Sequence, residues 1–252
     1  MNPFFKDPGL EYSIDSIMMF QDDQHSDWWR DSLFAFYPRL DRAYFDSLDT
    51  AGRSKYLHDV LSEAYSSIKE EIALKTKLYR DHWLKHSRQI EAAFIDAFGI
   101  DVRRLFNDIT VNITLNPISP RFLKERAFDV FYLNSERGAL GISIHEMIHF
   151  LWFHVWQGIF GDDYSEYETP NLKWVLSEMV VDIIMRDERL SKINPYFESG
   201  CAYEYFYSMN IEEKPILEMM NELYKRLHIE EFMKQSFSLC QKHEDEISAQ
   251  MK

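Results

Sequence analysis

The chain has 252 residues, with 28 Lys plus Arg against 42 Asp plus Glu, a formal net charge of −14 at pH 7. At roughly 150 residues per domain this length spans one to two domains and can bury a sizeable core without disulfides or a second subunit. An apolar share of 46% beside a charged share of 28% belongs to a soluble globular protein and excludes a disordered or fibrous chain. The acid excess argues against nucleic acid as a partner, because that affinity comes largely from cations neutralising phosphates. Cys201 and Cys240 are the two cysteines, far apart and in no metal-like spacing, which fits a reducing cytoplasm. The opening MNPFFKDPGLEYSID lacks the basic start, apolar run and cleavage site of a signal peptide.

Residues 1–50 are aromatic-rich and acidic, and their short apolar stretches predict short helices and loops wrapped on the main body. From residue 53 the period becomes helical. Leu57, Val60, Leu61, Ala64, Ile68 and Ile72 begin a stripe that Tyr79, Trp83, Ile90, Phe94 and Phe98 continue, and Gly99 is its natural stop. Val111, Ile113 and Leu115 then alternate with Asn112, Thr114 and Asn116, which predicts a half-buried strand closed by Asn116-Pro117-Ile118-Ser119-Pro120. A second strand is expected over 127–133. Helical character returns from about 140 and closes near Gly158 or Gly161. An acidic loop follows over 162–168, and Thr169-Pro170 reads as the cap and first residue of a helix running to about 185. Beyond Pro195 the chain is again helical, with Pro215 opening one segment and 229–252 holding another. The expected fold is α+β and mostly helical, with a small sheet preceding the central helix. It forms a single domain: a helical portion over 1–100, the sheet and site helices over 101–190, and a helical portion over 191–252.

Chemistry concentrates in Ile144-His145-Glu146-Met147-Ile148-His149-Phe150, an H-E-x-x-H on an apolar helix that follows a strand. Residues four apart lie about 40° apart around a helix, so His145 and His149 face one way, one turn apart, as two ligands of a zinc ion can. Glu146 is rotated about 100° from His145, which suits a carboxylate beside a metal-bound water. Residues 141–160 are long enough to span a bilayer, but His145, Glu146, His149 and His154 would be expensive in lipid, so the segment reads as a buried helix. His154 lies about 180° around the same helix from His145 and faces away from the site, so a core or capping role is expected of it. A metzincin-type site is also absent, since 150–154 supply neither its glycine turn nor its third histidine. The next helix carries Glu178 and Asp182, again one turn apart among Val175, Leu176, Met179, Val180, Val181, Ile183 and Ile184. Carboxylates on so apolar a helix demand partners unless they share a narrow exposed stripe.

The pairing of His145-Glu146-x-x-His149 with Glu178-x-x-x-Asp182 resembles the gluzincin clan of zinc metallopeptidases, which includes the thermolysin-like enzymes. The resemblance covers roughly residues 108–187. It implies zinc held by His145, His149 and Glu178, Glu146 as general base, and Asp182 orienting a ligand histidine. By the same resemblance, the strand at 127–133 would be an edge that pairs with substrate backbone. Tyr203, Tyr205, Tyr207 or His228 would be the candidates to stabilise an oxyanion. The function implied is a cytoplasmic zinc hydrolase acting on a peptide or protein, with no nucleic acid or membrane partner. A catalytically degenerate relative that binds metal and serves as a regulatory or partner-binding module is the alternative.

Overall fold

A computed structural model describes residues 2–21, 27–105, 107–162, 164–193 and 203–251. Cys201, Asp163 of the expected acidic loop and the start of the helical stretch after Pro195 lie outside the described residues. The chain is mostly helical with a small mixed sheet, as its periodicity predicts. It groups into two compact units, neither contiguous in sequence: 2–85 with 106–142, and 86–105 with 143–252. Among the described residues no helix is long and apolar enough to cross a membrane.

The first unit holds β1 (Phe4–Lys6), α1 (Leu10–Met18), α2 (Asp27–Phe36), α3 (Arg42–Asp46), β2 (Thr110–Thr114), β3 (Arg121–Phe122) and β4 (Ala127–Phe131). It also contains the first part of α4 (Thr50–Phe98) and the start of α5 (Glu136–Phe160). α4 is a single helix of 49 residues, and Gly99 ends it in the left-handed region at φ 64°. The sheet order is β1-β2-β4-β3, with β1–β2 and β2–β4 parallel and β3 antiparallel to β4. The strand at 127–133 was expected at an edge. Instead β4 lies between β2 and β3, because the chain leaving the 116–120 turn folds back and pairs Arg121 and Phe122 with Phe128 and Ala127.

The alternation at 111–115 predicts a half-buried strand, yet residues 111–114 of β2 and all of β4 are buried. Parallel neighbours are normally covered on both faces, so the polar residues of the alternation meet protein in place of water. Asn112 and Asp129 are direct neighbours across β2 and β4. Asp129 accepts from Ser16 Oγ at 2.6 Å, Tyr12 OH at 2.9 Å and Asn112 Nδ2 at 3.1 Å. Asn116 Nδ2 donates to Ser16 Oγ at 2.9 Å. Burial pushes the Asp129 carboxyl up to about 6 against the pull of its three donors. Tyr79 of α4 closes the strand end by donating to the carbonyls of Tyr132 (2.7 Å) and Asn134 (2.5 Å).

The second unit holds the ends of α4 and α5, a 3-10 turn at Tyr164–Tyr167 and α6 (Leu172–Met185). It continues with α7 (Glu188–Ser191), α8 (Glu204–Ser208), β5 (Asn210–Ile211), β6 (Lys214–Pro215), α9 (Ile216–Arg226), α10 (Ile229–Lys242) and α11 (Glu244–Gln250). α6 packs against α9 and α10, and every residue from 174 to 185 is buried. Thr169-Pro170 does not open α6. That bond is cis, and the extended residue Asn171 caps a helix that begins at Leu172. Pro215 does precede a helix, but as the last residue of the hairpin β5–β6, whose two turn residues Glu212 and Glu213 sit at φ 49° and 66°. Two-residue hairpins with both central residues at positive φ normally use Asn-Gly, so a Glu-Glu pair gives no turn signal. The helical stretch at 229–252 is two helices, broken at His243.

Candidate metal centre

α5 is apolar on nearly every side and buries most of its length, so its few polar side chains must find partners inside the protein. His145 and His149 lie one turn apart on it, their ring centroids 4.9 Å apart and their Nε2 atoms 3.2 Å apart. From α6, Glu178 brings Oε1 to 3.3 Å from His149 Nε2 and Oε2 to 3.6 Å from His145 Nε2. A tetrahedral ion with ligands at about 2.0–2.1 Å separates those ligand atoms by about 3.3 Å. The two ring nitrogens are therefore spaced as ligands of such an ion would be, and each faces a different oxygen of the Glu178 carboxylate at a comparable distance. Glu146 stands beside it, with Oε1 3.9 Å from His145 Nε2. His145, Glu146 and His149 each offer a ligand atom within 4.8 Å of the others, so the helix supplies a cation-holding group even before Glu178 is added.

The site is sealed unevenly. The His149 side chain has no exposure, Glu178 has 4% and Glu146 8%, while His145 keeps 20%. Behind His149 lies Phe153, parallel to within 13°, and Tyr167 of the 3-10 turn stacks on Phe153 at 4.1 Å. Asp182 is buried as Glu178 is, so neither carboxylate lies on an exposed stripe. Its oxygens accept from two neighbours: Tyr207 OH at 2.6 Å and Arg186 Nε at 2.8 Å.

The four oxyanion candidates separate by what they touch. Tyr207 is bonded to Asp182. Tyr205 is nearest in effect to Glu178: burial, then the Glu178 charge, pushes its phenol up to about 12, which leaves it a hydroxyl donor at neutral pH. Tyr203 stacks on Tyr205 at 5.5 Å and meets Trp174 at 5.6 Å. His228 instead lines a cavity of about 590 Å³ with Gly99, Arg189 and Tyr224. His154 faces away from the pair as its half-turn offset requires, but it is exposed on α5, not a core residue.

Sequence reasoning passed over Arg186, and it named Tyr207 only as an oxyanion candidate, not as a partner of Asp182. Arg186 carried a readable signal, since it lies four residues after Asp182, as the C-cap of the same helix. Tyr207 carried none, because nothing in a run of spaced tyrosines says which one reaches a carboxylate 25 positions earlier. Compared with known protein families, curated proteins and solved structures, the chain matches none.

Proposed function

We propose that the chain is a zinc-dependent hydrolase, most simply a metallopeptidase, with His145, His149 and Glu178 as the ligands. The observation that supports this is the convergence of two imidazole nitrogens, 3.2 Å apart, on the Glu178 carboxylate, whose two oxygens lie 3.3 and 3.6 Å from them in a largely buried setting. Charge supports it too. Glu146, Glu178 and Asp182 are three buried carboxylates; Arg186 supplies one positive charge, and a divalent cation would supply two more. A zinc ion bound here would lower the pKa of its water toward about 7 and polarise a carbonyl. Glu146, beside the ligand group, would accept a proton from the attacking water and return it to the departing amine. The Tyr205 hydroxyl, which stays protonated at neutral pH and feels the Glu178 charge, is a candidate donor to developing negative charge on the substrate. The H-E-x-x-H and E-x-x-x-D pairing supports a peptide or protein as substrate. The acid excess disfavours nucleic acid. A cytoplasmic setting fits the cysteine usage and the buried, free Cys240.

One observation favours the degenerate, regulatory reading: a cleft of about 590 Å³ among the described residues is lined by His228 and its neighbours and by none of the four site residues. Glu146→Gln separates the two. The amide keeps the size and hydrogen-bonding capacity of the side chain but cannot accept a proton. Zinc content should stay at one ion per chain while hydrolysis of a mixed peptide library falls by about 10²–10⁴-fold. Stoichiometric zinc in the wild type with no hydrolysis would establish the regulatory reading. No tight zinc in the wild type would end both.

A further inference from the structure

Asp182, Arg186 and Tyr207 are joined in one cluster. Tyr207 OH and Arg186 Nε each hold one oxygen of Asp182, at 2.6 and 2.8 Å, and the Arg186 guanidinium lies 5.7 Å from the centre of the Tyr207 ring. Asp182 is one turn beyond Glu178 on α6, and both carboxylates are buried. Tyr207 comes from α8, which Phe206 and Met209, each 1% exposed, fix in the core of this unit. The tyrosine is therefore delivered from a firmly held element.

We infer that Tyr207 and Arg186 are positioning residues for the metal centre, acting through Asp182 to fix the turn of α6 that aims Glu178 at His145 and His149. The inference rests on the zinc reading proposed above. A carboxylate taken out of water is stable only with its donors in place, so removing one leaves Asp182 to seek another. The nearest adjustment available is a rotation of its own helical turn, which carries Glu178 with it. Distances of 3.3 and 3.6 Å leave a cation ligand little room for such rotation. The Tyr207 ring is still 39% exposed, so losing its hydroxyl removes the anchor without opening a core cavity.

Cobalt(II) tests this, because its visible absorption reports ligand geometry independently of activity. The full-length wild type, Tyr207→Phe, Arg186→Gln and Arg186→Lys are titrated with Co²⁺ against a competing chelator. Tyr79→Phe, which loses a buried hydroxyl in the other unit, is the control. Tyr207→Phe and Arg186→Gln should each bind Co²⁺ about ten-fold more weakly, with altered visible bands and unchanged far-ultraviolet circular dichroism. Arg186→Lys, which restores the cation, should recover most of the affinity, and the control should match the wild type. Wild-type affinity and spectrum in both Tyr207→Phe and Arg186→Gln would overturn the inference while leaving the metal centre standing. A wild type that binds no Co²⁺ would remove the metal centre itself, and this inference with it.

Discussion

Asp129 in the sheet and Glu178 in the helical unit are both acids withdrawn from water, but what surrounds them differs in kind. Asp129 faces donors: two hydroxyls and an amide point at it, and each has a natural role in joining α1 and β2 to β4. Glu178 faces two imidazole nitrogens that also face one another across 3.2 Å. The first cluster completes itself with the protons the chain already owns. The second gathers two ring nitrogens and a carboxylate, which a cation could satisfy together when both nitrogens present their lone pairs. Burial of a carboxylate is thus a poor marker of function by itself; convergence of acceptors is the informative feature.

The sharpest way to break this contrast is to remove the ion and its ligand. With zinc at about 1,000 times its dissociation constant, binding should stabilise the wild type by about 4 kcal/mol. Stripping the ion should remove that stabilisation from the wild type and leave Glu178→Ala unaffected, since the variant should already bind more than about 100-fold more weakly than wild type, beyond the usual cost of an outer partner. Thermal denaturation with and without chelator, alongside elemental analysis, measures both. Full zinc content in Glu178→Ala would transfer the ligand role elsewhere. Binding should also weaken in acid, because protons compete for His145 and His149.

A smaller effect belongs to Asp129. Its folded-state pKa of about 6 lies above the ordinary 3.8, so the folded chain binds the proton more tightly than the unfolded one. The stabilisation from that proton is complete below about pH 4 and is lost as pH rises through about 6, a change on the order of 2–3 kcal/mol. Urea midpoints across this range should fall with rising pH for the wild type and flatten in Asp129→Asn, with zinc content unchanged. If Asp129→Asn lost its metal, the two clusters would be energetically one, and the contrast drawn above would fail.

The smallest expected effect is at Tyr79. Tyr79→Phe deletes a donor shared by two carbonyls and should cost about 1 kcal/mol, read as a lower urea midpoint at constant slope. It sharpens the comparison by setting the scale for one lost neutral hydrogen bond in the same unit as Asp129.

Much of this architecture was legible. The 3.6-residue stripe marked 53–98 as helical without deciding between one helix and two, Gly99 marked its end, and the i, i+4 spacing on α5 and α6 placed four of the site residues on their helices. Other parts escaped for identifiable reasons. β1 is three residues, Phe4–Lys6, too short for alternation to register, and it exists because β2 offers it a parallel neighbour 106 positions away. β5–β6 hides behind a Glu-Glu turn that Lys242 helps hold by an ion pair to Glu212 at 2.8 Å. Asp129 sits in Ala-Phe-Asp-Val-Phe, a pattern that reads as an outward polar position. Its inward environment depends on Tyr12 and Ser16, whose proximity is a fact of tertiary structure alone.

The uneven sealing of the candidate metal centre has a kinetic consequence. His149 is backed by Phe153 and Tyr167, and Glu178 and Glu146 are almost wholly covered, so among the described residues of the site the exposure to water is greatest at His145. Under the proposed reading, an ion and whatever the ion acts on must use the same doorway. Traffic through a shared doorway is ordered: the ion enters first, and an occupant resting on the His145 side blocks its escape. The dissociation rate of the ion would then report directly on whether the site is occupied.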